Sequence, residues 1–138
     1  MNSRLINDEA LYEIRQNLTS KGYETKWNTF KPCVYKTFGY LRQSAERGET
    51  HTYEEVGDEI STDHRRYLSI WLQGINYHEY RVDRPPLSVL VITVKNRIPS
   101  EGFFEQMEEL GHYDPSQDDK RTLSRELQHS VFDFWQNY

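Results

Sequence analysis

A chain of 138 residues is long enough for one domain around one core. Its net charge of −5 excludes a protein coated all over in positive charge for nucleic acid. Aromatic residues make up 14%, so a core can be built from few side chains of large area. The single cysteine, Cys33, excludes an internal disulfide and a cysteine-based zinc cage, and reads as a small packed residue rather than a nucleophile. The stretch from Met1 to Glu9 lacks the apolar segment of a signal peptide, and the run from Val89 to Val94 is too short to span a bilayer. These features lead us to expect a soluble cytoplasmic protein.

Asn7 is placed to cap a first helix that runs to about Lys21, with Gly22 ending it. Leu11, Ile14 and Leu18 give it one apolar stripe. A second helix is expected from about Thr29 to Arg47, with Pro32 in its first turn and Gly48 closing it. Thr52 and Glu55 form a capping box for a short helix from Tyr53 to Ile60. Ser61-Thr62-Asp63 is the turn that caps the next helix. There Leu68, Trp71, Leu72 and Ile75 set the core side, and Arg65, Arg66, Ser69, Gln73 and Asn76 the opposite one.

Pro85-Pro86 starts an extended segment, and Leu87 to Val94 reads as a buried strand. Lys95-Asn96-Arg97 turns the chain into a return at Ile98, which makes a β-hairpin wing. Ser100 caps a helix that ends before Gly111, and a last helix runs from about Gln117 to Asn137. The expected fold is α+β and mostly α. It is a single domain over 1–138: a winged helix-turn-helix core at about 29–104, flanked by helices at about 7–21 and 117–137.

Charge is unevenly placed. From His64 to Arg97 there are six basic residues, Arg65, Arg66, Arg81, Arg84, Lys95 and Arg97, against two acidic ones, Glu79 and Asp83. The rest of the chain has 11 basic and 20 acidic residues. A basic second helix and hairpin tip in an otherwise acidic protein suits phosphate docking. Ser69, Gln73 and Asn76 can bond base edges. The plainer alternative is a solvated face salt-bridged to the acidic remainder. Glu54, Glu55, Asp58 and Glu59 on the preceding helix must point away from a duplex if DNA is bound. They read as a wet helix face rather than a metal site.

Gly48-Glu49-Thr50-His51-Thr52-Tyr53-Glu54-Glu55-Val56 resembles the Gly-x-Val-x-Thr-Tyr-Gly-Glu-Val start of the winged-helix domain in DNA alkyltransferases and alkyltransferase-like proteins. The resemblance implies that Tyr53 sits near a phosphate and that Arg65 or Arg66 enters the base stack. The family's Pro-Cys-His-Arg-Val strand corresponds to Pro85-Pro86-Leu87-Ser88-Val89-Leu90-Val91, which has neither Cys nor His. Alkyl transfer by that mechanism is therefore ruled out. The stretch from Pro85 to Phe104 also resembles small prokaryotic and mobile-element proteins with a Pro-Leu-x-x-Leu-Val…Pro-Gly-x-Gly-Phe pattern. Together the similarity covers about 55 residues, under half the chain.

Other chemistry finds little footing. The five histidines lack ligand spacing, Ser88 and Ser100 lack a nucleophile elbow, and no Gly-rich phosphate loop exists. Glu101 beside Gly102 could be a catalytic carboxylate on a turn, but reads better as helix-capping charge. The stripe of Phe132, Phe134, Trp135 and Tyr138 reads as core, with a homodimer seam as the alternative.

The expectation is a non-catalytic DNA-binding protein, a regulator or accessory factor, with no cofactor and no metal. Its contacts would be Tyr53, Arg65, Arg66, Ser69, Gln73, Asn76, Lys95 and Arg97. The competing reading is a protein-interaction module, such as an inhibitor or accessory protein of a phage, mobile element or defence system. A small hydrolase or nuclease would instead need clustered His, Asp and Glu in a pocket.

Overall fold

The computed structural model describes residues 5–138. The first four residues of the N-terminal stretch, which bear on the signal-peptide reading, lie outside the described residues. In chain order the elements are α1 (Asp8–Ser20), α2 (Trp27–Arg47), β1 (His51–Thr52), α3 (Tyr53–Ile60), α4 (Leu68–Arg81), a 3₁₀ turn (Leu87–Leu90), β2 (Val91–Ile92), α5 (Glu101–Glu109) and α6 (Lys120–Gln136). The protein is mostly helical with a small sheet, as the composition and periodicities imply.

Local signals set several helix ends. Asn7 Oδ1 accepts the Ala10 N–H and starts α1. Thr52 and Glu55 complete the reciprocal box that starts α3. Gly48, in the left-handed conformation at φ 68°, ends α2. Helix α2 begins earlier than expected, so Pro32 lies inside it rather than in its first turn. The extra residues are held by packing: the Trp27 ring lies 5.2 Å from Tyr12 and 6.3 Å from Phe30, and Phe30 lies 6.0 Å from Trp71. Pro32 is exposed, so the carbonyl it leaves unpaired one turn back faces outward.

Helix α2 is the hub. Its buried residues, including Phe30, Val34, Phe38 and Leu41, pack against α1, α3, α4, the 3₁₀ turn and α6. Leu11, Ile14 and Leu18 of α1, Val56 and Ile60 of α3, and Leu68, Trp71, Leu72 and Ile75 of α4 are all buried, as their spacing requires. Helices α3 and α4 are joined by residues 61–67. A Cβ on Gly57 would lie 2.8 Å from the Thr62 carbonyl oxygen and 2.8 Å from His64 Cβ. Glycine at 57 is what lets this turn fold back against α3.

Three expectations need correction. Leu87 to Leu90 are not a strand. All four side chains are buried, and they lie against α2, α4 and α6 at once. A strand points alternate residues to two faces only, whereas a tight 3₁₀ turn spreads them round its axis. The strand that follows is only Val91–Ile92, and it pairs in parallel with His51–Thr52. The expected antiparallel wing is not formed among the described residues. The chain turns between Thr93 and Ile98, closed by the Thr93 N–H to the Ile98 carbonyl at 2.9 Å and the Arg97 N–H to the Thr93 carbonyl at 2.9 Å. Finally, Asp63 does not cap α4. Its carboxylate accepts the Arg65 N–H at 3.0 Å, and the helix starts at Leu68 after a cap without side-chain bonding.

Candidate nucleic-acid interface

Arg65 and Arg66 lie in the turn before α4, not on the helix. Both are exposed, and the Arg66 guanidinium lies 5.6 Å from the centre of the Tyr67 ring. Lys95 and Arg97 are exposed in the 93–98 turn, with Arg97 in a left-handed backbone conformation at φ 61°. Among the described residues, none of these four side chains is in an ion pair. The other two basic residues of the stretch each pair with a carboxylate, Arg81 at the surface and Arg84 in the interior. Arg81 pairs with Glu13 at 2.6 Å, and Arg84 pairs with the buried Glu79 at 2.7 Å.

Ser69 is exposed on the first turn of α4, and Gln73 is half-buried one turn later. Asn76 departs from expectation. It is 2% exposed and faces the interior. Its amide donates to Ser88 Oγ at 2.6 Å and to Gln106 Oε1 at 2.9 Å, while its carbonyl accepts the Ser88 N–H at 3.2 Å. Every lone pair and proton of that amide spent inside is one not offered to a base. The reach of α4 toward a groove therefore ends at Gln73.

Tyr53 is also committed. Its hydroxyl donates to Ser100 Oγ at 3.0 Å and accepts the Ser100 N–H at 2.9 Å. Burial pushes the phenol above its ordinary pKa, against the pull of the bonds from Ser100, so it stays a neutral hydroxyl. Tyr53, Ser69, Gln73 and Ser100 all border one small cavity of about 40 Å³, closed on its inner side by Asn76, Ser88 and Gln106. Gln106 and Ser100 were not singled out by the sequence as members of this cluster. The signal for Gln106 was weak: a polar residue between Phe103 and Met107, on the buried side of an amphipathic helix.

The acidic helix stands close by. Glu54, Glu55, Asp58 and Glu59 are all exposed. The Thr52 N–H holds the Glu55 carboxyl below its ordinary pKa, with smaller contributions from His51 and Arg97. Arg97 thus lies within electrostatic range of the start of α3. Among the described residues no group of three or more His, Cys, Asp or Glu is placed to hold a metal ion. Glu101 is an exposed first-turn carboxylate of α5 that pairs with Lys120 at 2.6 Å. No helix of the described residues is long and apolar enough to cross a membrane. No protein-family model, curated protein or solved structure matches this chain.

Proposed function

We propose that the protein is a non-catalytic DNA-binding protein of the winged-helix type, acting as a regulator or accessory factor. The observation that carries this reading is the split among its basic residues. Arg81 and Arg84 are spent on Glu13 and Glu79, whereas Arg65, Arg66, Lys95 and Arg97 are exposed and unpaired among the described residues. Free guanidinium and ammonium groups at two turns suit phosphate contact, which releases counterions and yields salt-dependent affinity. Ser69 and Gln73, on the first turns of α4, are the side chains left to touch base edges. The short α3, the 61–67 turn and α4 supply the helix-turn-helix part of the reading. The 93–98 turn stands in for a wing.

The test is a titration against random duplex DNA at several salt concentrations. Arg65→Ala with Arg66→Ala should weaken binding and flatten the plot of log affinity against log salt, by roughly one unit of slope for each phosphate no longer neutralised. Unchanged duplex affinity in this double variant refutes the assignment.

One observation favours a second reading, a protein-interaction module of a phage, mobile element or defence system. The four exposed carboxylates of α3 form a face suited to a basic protein partner and unsuited to a duplex. Absence of any salt-sensitive duplex binding selects that reading.

A further inference from the structure

Two turns place an apolar side chain in water beside unpaired cations. In the 61–67 turn, Tyr67 is 45% exposed and follows Arg65 and Arg66 directly. In the 93–98 turn, Val94 is 71% exposed, more than any other large apolar residue among the described ones, and it precedes Lys95. A lone exposed apolar residue needs no explanation. Here one sits at each of the two turns that hold the free cations. The fold presents Tyr67 firmly. The N–H groups of Arg66 and Tyr67 both donate to the Asp63 carbonyl, at 3.2 and 3.0 Å, and the next residue, Leu68, is fully buried. The Arg66 guanidinium, 5.6 Å from the ring centre, steadies the side chain while nearly half of it stays open to solvent.

Charge alone is a weak anchor on this surface. The four free cations stand against five exposed carboxylates, the four of α3 and Asp63. A paired duplex offers phosphates and base edges and keeps the flat faces of its bases inside the stack. An unpaired base offers an uncharged face that an aromatic ring can cover, and carboxylates do not oppose that contact. We propose that the DNA taken by this surface carries an unpaired base, as at a single-stranded gap, and that this base stacks on Tyr67 while Arg65 and Arg66 hold the flanking phosphates. Val94 gives the second turn an apolar contact for a neighbouring base or sugar. The inference rests on the DNA reading and names the substrate class of the same surface.

The probes are a labelled intact duplex and the same duplex interrupted by a short single-stranded gap, titrated at two salt concentrations. The gapped duplex should bind roughly tenfold tighter than the intact one, the scale of one base–aromatic stack. Tyr67→Leu should abolish that margin and Tyr67→Trp should keep it, and neither should alter the slope of log affinity against log salt. 5-Iodouracil placed in the gap should crosslink to Tyr67 of the wild-type protein on irradiation. Salt-sensitive binding that does not distinguish the two duplexes overturns this proposal and leaves the DNA reading standing. So does a margin that survives in Tyr67→Leu, or a crosslink found only elsewhere. No salt-sensitive binding to either DNA removes both. Capture by phosphatidylglycerol vesicles in place of DNA also overturns it, because a lipid surface would then be what covers Tyr67 and Val94. The crosslink needs no variant, so a substitution that fails to fold leaves the question decidable.

Discussion

Asn76 Nδ2 lies 2.6 Å from Ser88 Oγ, and this one contact changes the role of a residue that its polarity had put on the outer face. With Gln106 on its other proton and the Ser88 N–H on its carbonyl, Asn76 ties α4 to the 3₁₀ turn and to α5. Gln106 continues the chain by donating to the Gln73 carbonyl at 3.0 Å. Truncation would strand Ser88 and Gln106 in the interior.

Asn76→Ala should therefore lower unfolding free energy by about 2 kcal/mol, the cost of leaving buried polar groups unpaired. Duplex affinity of the folded fraction should not change. Urea denaturation and a binding titration on the same variant check both parts. A stable variant with weakened DNA binding would return Asn76 to the surface role.

The junction of α1 and α4 carries the next prediction. The Asn7 N–H donates to His78 Nε2 at 2.8 Å. In the neutral ring this puts the proton on Nδ1, which lies 3.0 Å from Glu79 Oε1. The same carboxylate receives Arg84 at 2.9 and 2.7 Å, and Arg84 also reaches the Leu5 carbonyl. Glu79 is fully buried, so its charge is tolerable only with these partners. Glu79→Leu should cost about 3–5 kcal/mol because it leaves Arg84 unpaired. Glu79→Leu combined with Arg84→Met should cost less than the sum of the two single changes. Midpoints of urea unfolding for the four proteins measure the coupling, and simple additivity would show that the pair is not a unit.

What could be read in the chain and what could not divide along physical lines. Asn7, Gly48 and the Thr52–Glu55 box act within one turn of their own position, so they mark helix ends without knowledge of the fold. The buried stripe of α4 follows from spacing alone. Extended one step, that spacing already contains Asn76, since Leu68, Leu72 and Asn76 recur every four residues; its polarity drew it outward. The run from Leu87 to Val94 was ambiguous because a short apolar stretch has no period to separate strand from buried turn. Pairing of Arg81 with Glu13 and of Arg84 with Glu79 depends on how α1 and α4 meet, or on how the chain bends after α4. No local rule separates those arginines from Arg65 and Arg66.

Alkali offers a prediction with a definite sign. The Tyr35 hydroxyl donates to Asp8 Oδ1, and burial together with that bond pushes the phenol up to about 12 from 10.0. The folded state holds this proton more tightly than the unfolded chain. The stabilisation is thus fully present below pH 10.0 and is lost as pH rises toward about 12. Burial also raises the phenols of Tyr40, Tyr53 and Tyr77, so a phenolate absorbance titration should show several late tyrosines, and Tyr35→Phe should remove one of them. The variant should also be less stable at neutral pH, and its disadvantage should shrink across that window. An unchanged number of late-titrating phenols in Tyr35→Phe would place the effect elsewhere.

The acidic helix gives the sharpest contrast between the two functional readings. Glu54, Asp58 and Glu59 are exposed, and none of them is in an ion pair among the described residues. Glu55 is left out of the substitution because its carboxylate completes the cap. Under the DNA reading, Glu54→Gln with Asp58→Asn and Glu59→Gln removes repulsion without adding a phosphate contact. Duplex affinity should rise several-fold at low salt, and the gain should fade as salt shortens the screening length to about 10 Å at 0.1 M. The log–log slope set by Arg65, Arg66, Lys95 and Arg97 should stay close to that of the wild type. Under the interaction reading the same triple variant removes the partner's contact face and leaves no duplex binding to enhance. Titrating wild type and variant against one duplex at two salt concentrations distinguishes these outcomes. Weaker duplex binding in the variant contradicts the DNA reading, because it would make the carboxylates part of the contact they are expected to oppose.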